Sequence, residues 1–230
     1  IMFIEIKKGF TLAEVLITLG IIGVVAAITI PTMVSNYKKR VVTTKLQRVY
    51  SVMNQAIRMS TAENGSPEGW ETLGISTDTT ATYDDILDWY KKYLGNYLKV
   101  SKLEQQPDTE NLLVHFNDGS VLRIANYIYD MAFYTEAKYL NTNLNKSGVN
   151  SFNFRFSPNS ELFLSTMHSD DKRWVRTISP MFEPYTFGWN GTVNDAKYNE
   201  NLGCYVKGVF CAKLIQLNGW KIPKDYPYKF

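Results

Sequence analysis

Glu14 is a carboxylate inside an apolar run. The stretch KKGFTLAEVLITLGIIGVVAAITIPTM (7–33) sets Lys7, Lys8 and Gly9 ahead of it, and no charged residue occurs from Val15 to Ile30. A carboxylate in a segment apolar enough for a bilayer is costly and marks a functional position by default. The alternative is a glutamate at the membrane edge whose carboxylate reaches back to water. Elsewhere the chemical inventory is thin. There are two cysteines, Cys204 and Cys211, and two histidines, His115 and His168. His115 falls in a strand-like run and reads as a structural histidine. HSDDK (168–172) has the residue types of an acid–base or metal cluster but the composition of a solvated turn. NTNLNKSG (141–148) spaces oxygen-bearing side chains at alternate positions, a faint echo of a calcium loop without carboxylates or a closing bidentate glutamate. Two cysteines without neighbouring ligands are a poor zinc signal. No GxSxG, HExxH, GxxxxGK[ST] or GxGxxG pattern is present. The expectation is therefore no catalytic residue, no metal, no cofactor and no enzyme.

The elements that hold these residues follow from periodicity. Phe10 to Ile30 is 21 residues, and at about 1.5 Å per residue a helix of that length reaches about 31 Å, the thickness of a hydrocarbon core. A secretory signal peptide would have an apolar part of only about 7–15 residues and gives Glu14 no purpose. A plain single-pass anchor would keep Lys7 and Lys8 in the cytoplasm, with Lys38, Lys39 and Arg40 on the far side weakening the asymmetry. Pro31 ends the run and removes a helical hydrogen bond, which makes it a hinge. Gly20 and Gly23 leave smooth surface for close helix contact. Beyond Pro31, Val42, Leu46, Val49, Met53 and Ile57 recur at helical spacing, with Lys45, Gln47, Asn54 and Arg58 on the other faces. ENGSPEG (63–69) stops the helix.

The remainder, 65–230, reads as one globular head, and 45% hydrophobic residues across the chain suffice for one core. TYDDILDWYKKYLGNYLKV (82–100) reads as a helix, capped at Thr82 or Asp84, with Ile86, Tyr90, Tyr93 and Tyr97 on one face. NLLVHFNDGSVLRIANYI reads as a hairpin turning at NDGS. SFNFRFSPNSELFLSTM reads as a second hairpin, with Phe152, Phe154 and Phe156 alternating with Asn153 and Arg155 as in a half-buried strand. RWVRTI is a further strand candidate. Cys204 and Cys211 stand either as two free thiols or as a disulfide. A disulfide closing so short a loop would stabilise by about 2–3 kcal/mol and fits an extracytoplasmic compartment. A formal net charge of +3 gives no electrostatic footprint for nucleic acid. Trp220, Ile222 and Tyr226 in the closing NGWKIPKDYP read as packing residues.

KKGFTLAEVLITLGIIGVVAAI resembles the processing and assembly segment of the type IV pilin superfamily, which includes the type II secretion pseudopilins and the competence pilins. Lys7, Lys8, Gly9, Phe10, Thr11, Leu12 and Glu14 carry the likeness in kind and order. The resemblance implies that a dedicated prepilin peptidase and methylase recognises Lys8, Gly9 and Phe10, cuts between Gly9 and Phe10, and methylates the new amine of Phe10. It implies a cytoplasmic leader (1–9), a long helix (10–64) with a transmembrane and assembly part (10–33) and an amphipathic part (34–64), and an extracytoplasmic head (65–230). The implied fold is α+β, a long N-terminal helix packed on an antiparallel sheet. The implied role is a filament subunit in the bacterial inner membrane, leader inside and head outside, then in a periplasmic or surface filament. Its partners would be the peptidase, other pilin-like subunits and an inner-membrane assembly platform, with nucleic acid not expected. The alternative within the family is a minor or competence pilin that binds DNA or a surface. Cleavage would leave an amine that is mostly protonated at neutral pH. Glu14 of a neighbouring subunit could neutralise it, relieving two unpaired charges at once. Phe10 and Glu14 are thus the assembly pair.

Overall fold

The computed structural model describes residues 9–71, 81–125, 130–158 and 179–230. The chain forms two compact units, Ile1–Lys39 with Phe230, and Arg40–Lys229. One helix, α1 (Leu12–Asn64), contributes to both, and its helical backbone continues through Pro31. It ends where Gly65 adopts φ +74°, a left-handed conformation that glycine takes without steric cost and that closes a helix.

In the first unit α1 buries nothing. Its large apolar side chains from Leu12 to Val34 are all exposed, and the helix is long and apolar enough to cross a membrane. In the second unit the same helix becomes amphipathic. Val42, Leu46, Val49, Met53 and Ile57 are buried, as their spacing predicts, and Ala56 and Ser60 extend the stripe.

The second unit is built on a six-stranded antiparallel meander, β1 (Val100–Gln105), β2 (Leu112–Phe116), β3 (Val121–Ile124), β4 (Asp130–Tyr134), β5 (Ser151–Ser157) and β6 (Ser179–Pro184), ordered as in the sequence. Together with α1 this is the α+β architecture expected of a pilin-like chain. The β2–β3 hairpin turns at Asn117–Ser120 as its NDGS signal predicts. One expectation differs. The helix over 82–100 stops early: α2 (Tyr83–Tyr90) runs into a single wide π turn at Lys91–Gly95, and Val100 opens β1. Gly95 and Asn96 hold a helix weakly, and Val100–Gln105 finds its hydrogen bonds along β2 instead. β5 pairs with β4 on one side and with β6 on the other, and the second arm expected for its hairpin falls outside the described residues. The sequence patterns in 159–167, RWVRTI (173–178), HSDDK and the end of the first hairpin (126–128) lie outside the described residues, as do Lys7 and Lys8.

The core is aromatic. Phe152, Phe154 and Phe156 of β5 and Phe182 of β6 are fully buried, with Phe154 and Phe182 stacked at 4.6 Å between centroids. Trp70, Trp89, Tyr93 and Phe156 form a second cluster under α2, with ring centroids 4.5–6.2 Å apart. β5 is not half-buried: Arg155 on its other face is also covered. Its guanidinium lies 5.9 and 5.8 Å from the rings of Tyr185 and Phe187, opposite Asp130 on β4.

The turn-rich end carries two short helices, α3 (Val193–Tyr198) and α4 (Cys211–Leu217). A disulfide joins Cys204 and Cys211, both buried. The tail packs over it. Tyr228 donates to the carbonyl of Cys204 at 2.8 Å and Tyr226 to that of Gly148 at 2.6 Å. Gly148, at φ +80°, is glycine because a Cβ there would come within 2.6 Å of Cys211 Sγ and 2.7 Å of the Tyr228 ring. Trp220 lies 5.1 Å from the Tyr50 ring of α1. The NGWKIPKDYP tail is thus a strap over the disulfide loop.

Candidate assembly segment and processing site

Thr11 and Glu14 close on one another at the start of α1. The Thr11 N–H and its hydroxyl both donate to Glu14 Oε2 at 2.8 Å, and the Glu14 N–H points back to Thr11 Oγ1 at 3.3 Å. This is the reciprocal capping of a Thr-x-x-Glu box, which satisfies backbone donors that no helical carbonyl can reach. A carboxylate at this end also complements the positive pole of the helix. Sequence reasoning gave Glu14 a partner in another chain only. The Thr-x-x-Glu spacing was the signal for the local one. Gly9 and Phe10 precede the helix in an exposed, non-helical strand of chain, and Phe10 is 89% exposed. A peptide bond there lies open to a peptidase.

Along the apolar run the only polar side chains fold onto the helix itself. Thr18 Oγ1 donates to the carbonyls of Glu14 and Val15, and Thr29 Oγ1 to that of Val25, each at 2.9 Å. The surface so left is apolar all round. A Cβ at Gly20 or Gly23 would meet nothing within 4 Å.

Four polar residues on the second half of α1, Lys45, Arg48, Tyr50 and Asn54, bond to the sheet. Asn54 is buried, and its amide clamps the backbone of β6 in both directions: Nδ2 donates to the Phe182 carbonyl and Phe182 N–H donates to Oδ1, each at 2.9 Å. This covers an otherwise open strand edge. Lys45 Nζ donates to the carbonyls of Thr135 at 2.7 Å and Asp118 at 3.1 Å, and Arg48 pairs with Asp118. Tyr50 donates to Glu183 Oε1 at 3.0 Å, and burial, reinforced by that carboxylate, pushes its phenol up to about 12. Burial raises the Asp118 carboxyl, but the Ser120 hydroxyl and N–H, Arg48 and Lys45 outweigh it and hold it below the usual range.

The remaining sequence candidates are structural. His115 Nε2 lies 2.7 Å from Glu104 Oε1 across the β1–β2 ladder. In 141–148 the side-chain oxygens serve the loop, Asn141 Oδ1 accepting from Asn143 N–H and Asn145 Oδ1 from Ser151. Among the described residues no three His, Cys, Asp or Glu converge as a metal site would require.

Residues 6–30 match the prokaryotic N-terminal methylation motif. The chain therefore carries a type IV pilin-like prepilin segment, and with the exposed apolar helix this points to membrane anchoring. No curated protein and no solved structure matches the chain. Residues 32–230 match the model of a family of unknown function (DUF6613), which takes in the second half of α1, the whole sheet and the strapped disulfide loop, and the chain belongs to that family.

Proposed function

We propose that this chain is a structural subunit of a type IV pilus-like or type II secretion pseudopilus filament. It is inserted in the inner membrane with its head outside, cut between Gly9 and Phe10, methylated at Phe10 and polymerised through its N-terminal helix. The observation that carries this is the wholly exposed apolar helix opening on Thr11-x-x-Glu14 within the methylation motif. Soluble monomers rarely leave so much apolar surface bare; a membrane first, and neighbouring helices later, can cover it. Glu14 has a partner at each stage. Before assembly the Thr11 donors satisfy it; in the filament the Phe10 ammonium of a neighbour takes over, an ion pair that fixes the axial stagger of the helices. Pro31 leaves the Ala27 carbonyl without its helical donor and marks where α1 would yield on packing.

The test is Glu14→Ala. Insertion and cleavage should persist, since the apolar run and the cut site remain, while incorporation into sheared filaments should fall at least about tenfold, the consequence of leaving one charge of a buried pair alone. Normal incorporation of that variant would remove the pairing argument.

A further inference from the structure

Within Arg40–Lys229, a groove of about 350 Å³ runs along a second flank of α1. Its floor is apolar: Val52 and Met59 on the α1 side, Tyr97 and Phe116 on the other. Met59 is 40% exposed there, although it sits among the buried positions of an amphipathic helix. Its rim is cationic. Lys45, Arg48 and Lys99 line it against one carboxylate, Asp118, which leaves two positive charges in excess. Lys99 is exposed and forms no salt bridge among the described residues.

The opposite charge lies at the far ends of the two elements that lead to the groove. Asp84, Asp85 and Asp88 stand on the exposed side of α2, and Asp108 and Glu110 in the loop after β1. Glu110 accepts from Tyr83 N–H at 2.7 Å, so the helix start and the loop form one acidic corner. Lys91, 3.7 Å from Asp88, is the cation beside it. Two routes give the separation. From Tyr83 to Gly95 the helical rise is about 20 Å, and the six residues of β1 span about 20 Å as well. That exceeds the Debye length of about 8 Å at physiological salt, so the two ends do not neutralise each other within one head. A body with unlike complementary ends associates head to tail, and such a contact builds an open helical array when its rotation does not close.

We propose that this groove receives the acidic α2 corner of a second copy of the chain, with Tyr83 and Leu87, both partly exposed between the carboxylates, entering over Val52 and Met59. The proposal rests on the filament reading, in which copies of the chain meet.

Cysteine pairs in the full-length chain test it. Cys204 and Cys211 are the chain's only cysteines and are joined, so any intermolecular disulfide must come from introduced thiols. Lys99→Cys and Asp84→Cys chains, co-expressed and mildly oxidised in membranes, should give a cross-linked dimer that neither variant gives alone. Lys99→Glu should cut cross-linking between Gln55→Cys and Leu87→Cys chains roughly tenfold by placing like charges together, and Asp84→Lys on the partner should restore it. Absence of the cross-link, with both variants inserted and protease-resistant like the parent, overturns the proposal. So does a cross-link from Lys99→Cys to a different protein. Filaments without the cross-link leave the filament reading intact and remove this interface; the cross-link without filaments does the reverse.

Discussion

Asn54 is a helix residue that completes a sheet. Its two bonds to the Phe182 backbone lie at 6% exposure, where no water replaces them. Asn54→Ala should therefore cost about 1–3 kcal/mol, the penalty for a buried donor and acceptor left unmade. Gln47→Ala, on the exposed side of the same helix, should stay within about 0.5 kcal/mol. Urea midpoints of the full chain in detergent check both; equal shifts would deny the clamp. Asp118 gives a pH signature. Its folded carboxyl is held below the usual range, so its contribution is fully present above the unfolded value of about 3.9 and is lost as pH falls through the folded value. Asp118→Asn should lower stability at pH 7 and flatten the acid limb below about pH 4 relative to the parent. An unchanged acid limb would mean that the Ser120 donors, Arg48 and Lys45 do not hold its carboxyl down.

Among the elements, the disulfide loop and its strap form one unit. Replacing Cys204 and Cys211 with alanine should cost about 2–3 kcal/mol through loop entropy and should loosen the 219–230 tail, whose Tyr228 donates to the Cys204 carbonyl. Hydrogen exchange at the tail and 146–150 loop amides, measured with and without the bond, is the check; faster exchange confined to 204–211 would separate loop from strap. The N-terminal elements were legible because their chemistry is contiguous: two lysines, a glycine, Thr11 and Glu14, then an unbroken apolar run. The α1 stripe was legible because a helix repeats its buried face every three or four residues. The sheet was only half legible. β2 and β3 are short apolar runs flanking a local turn signal and β5 alternates, but β1 (VSKLEQ) is polar and β4 (DMAFY) and β6 (SPMFEP) show no clean period. Their pairing is decided by partners distant in sequence. The same holds for Asn54 and Lys45, whose polarity pointed to solvent and whose backbone acceptors lie some 70 to 130 residues away.

At the scale of the molecule, one helix meets two solvents. From Leu12 to Val34 every large apolar side chain is bare, whereas from Val42 onward the same helix buries a stripe against an aromatic core. The sheet, disulfide and strap lie within Arg40–Lys229, while the bare segment carries the methylation motif and the apolar surface that point to membrane anchoring. On the filament reading proposed above, the segment is processed between Gly9 and Phe10 before it assembles. The most direct measurement is the intact mass and N-terminal fragment of the chain recovered from sheared surface filaments or isolated membranes. A chain beginning at Phe10, with one methyl group on its amine, is the predicted result; a chain that still carries the residues before Gly9, or that begins beyond Glu14, would contradict it.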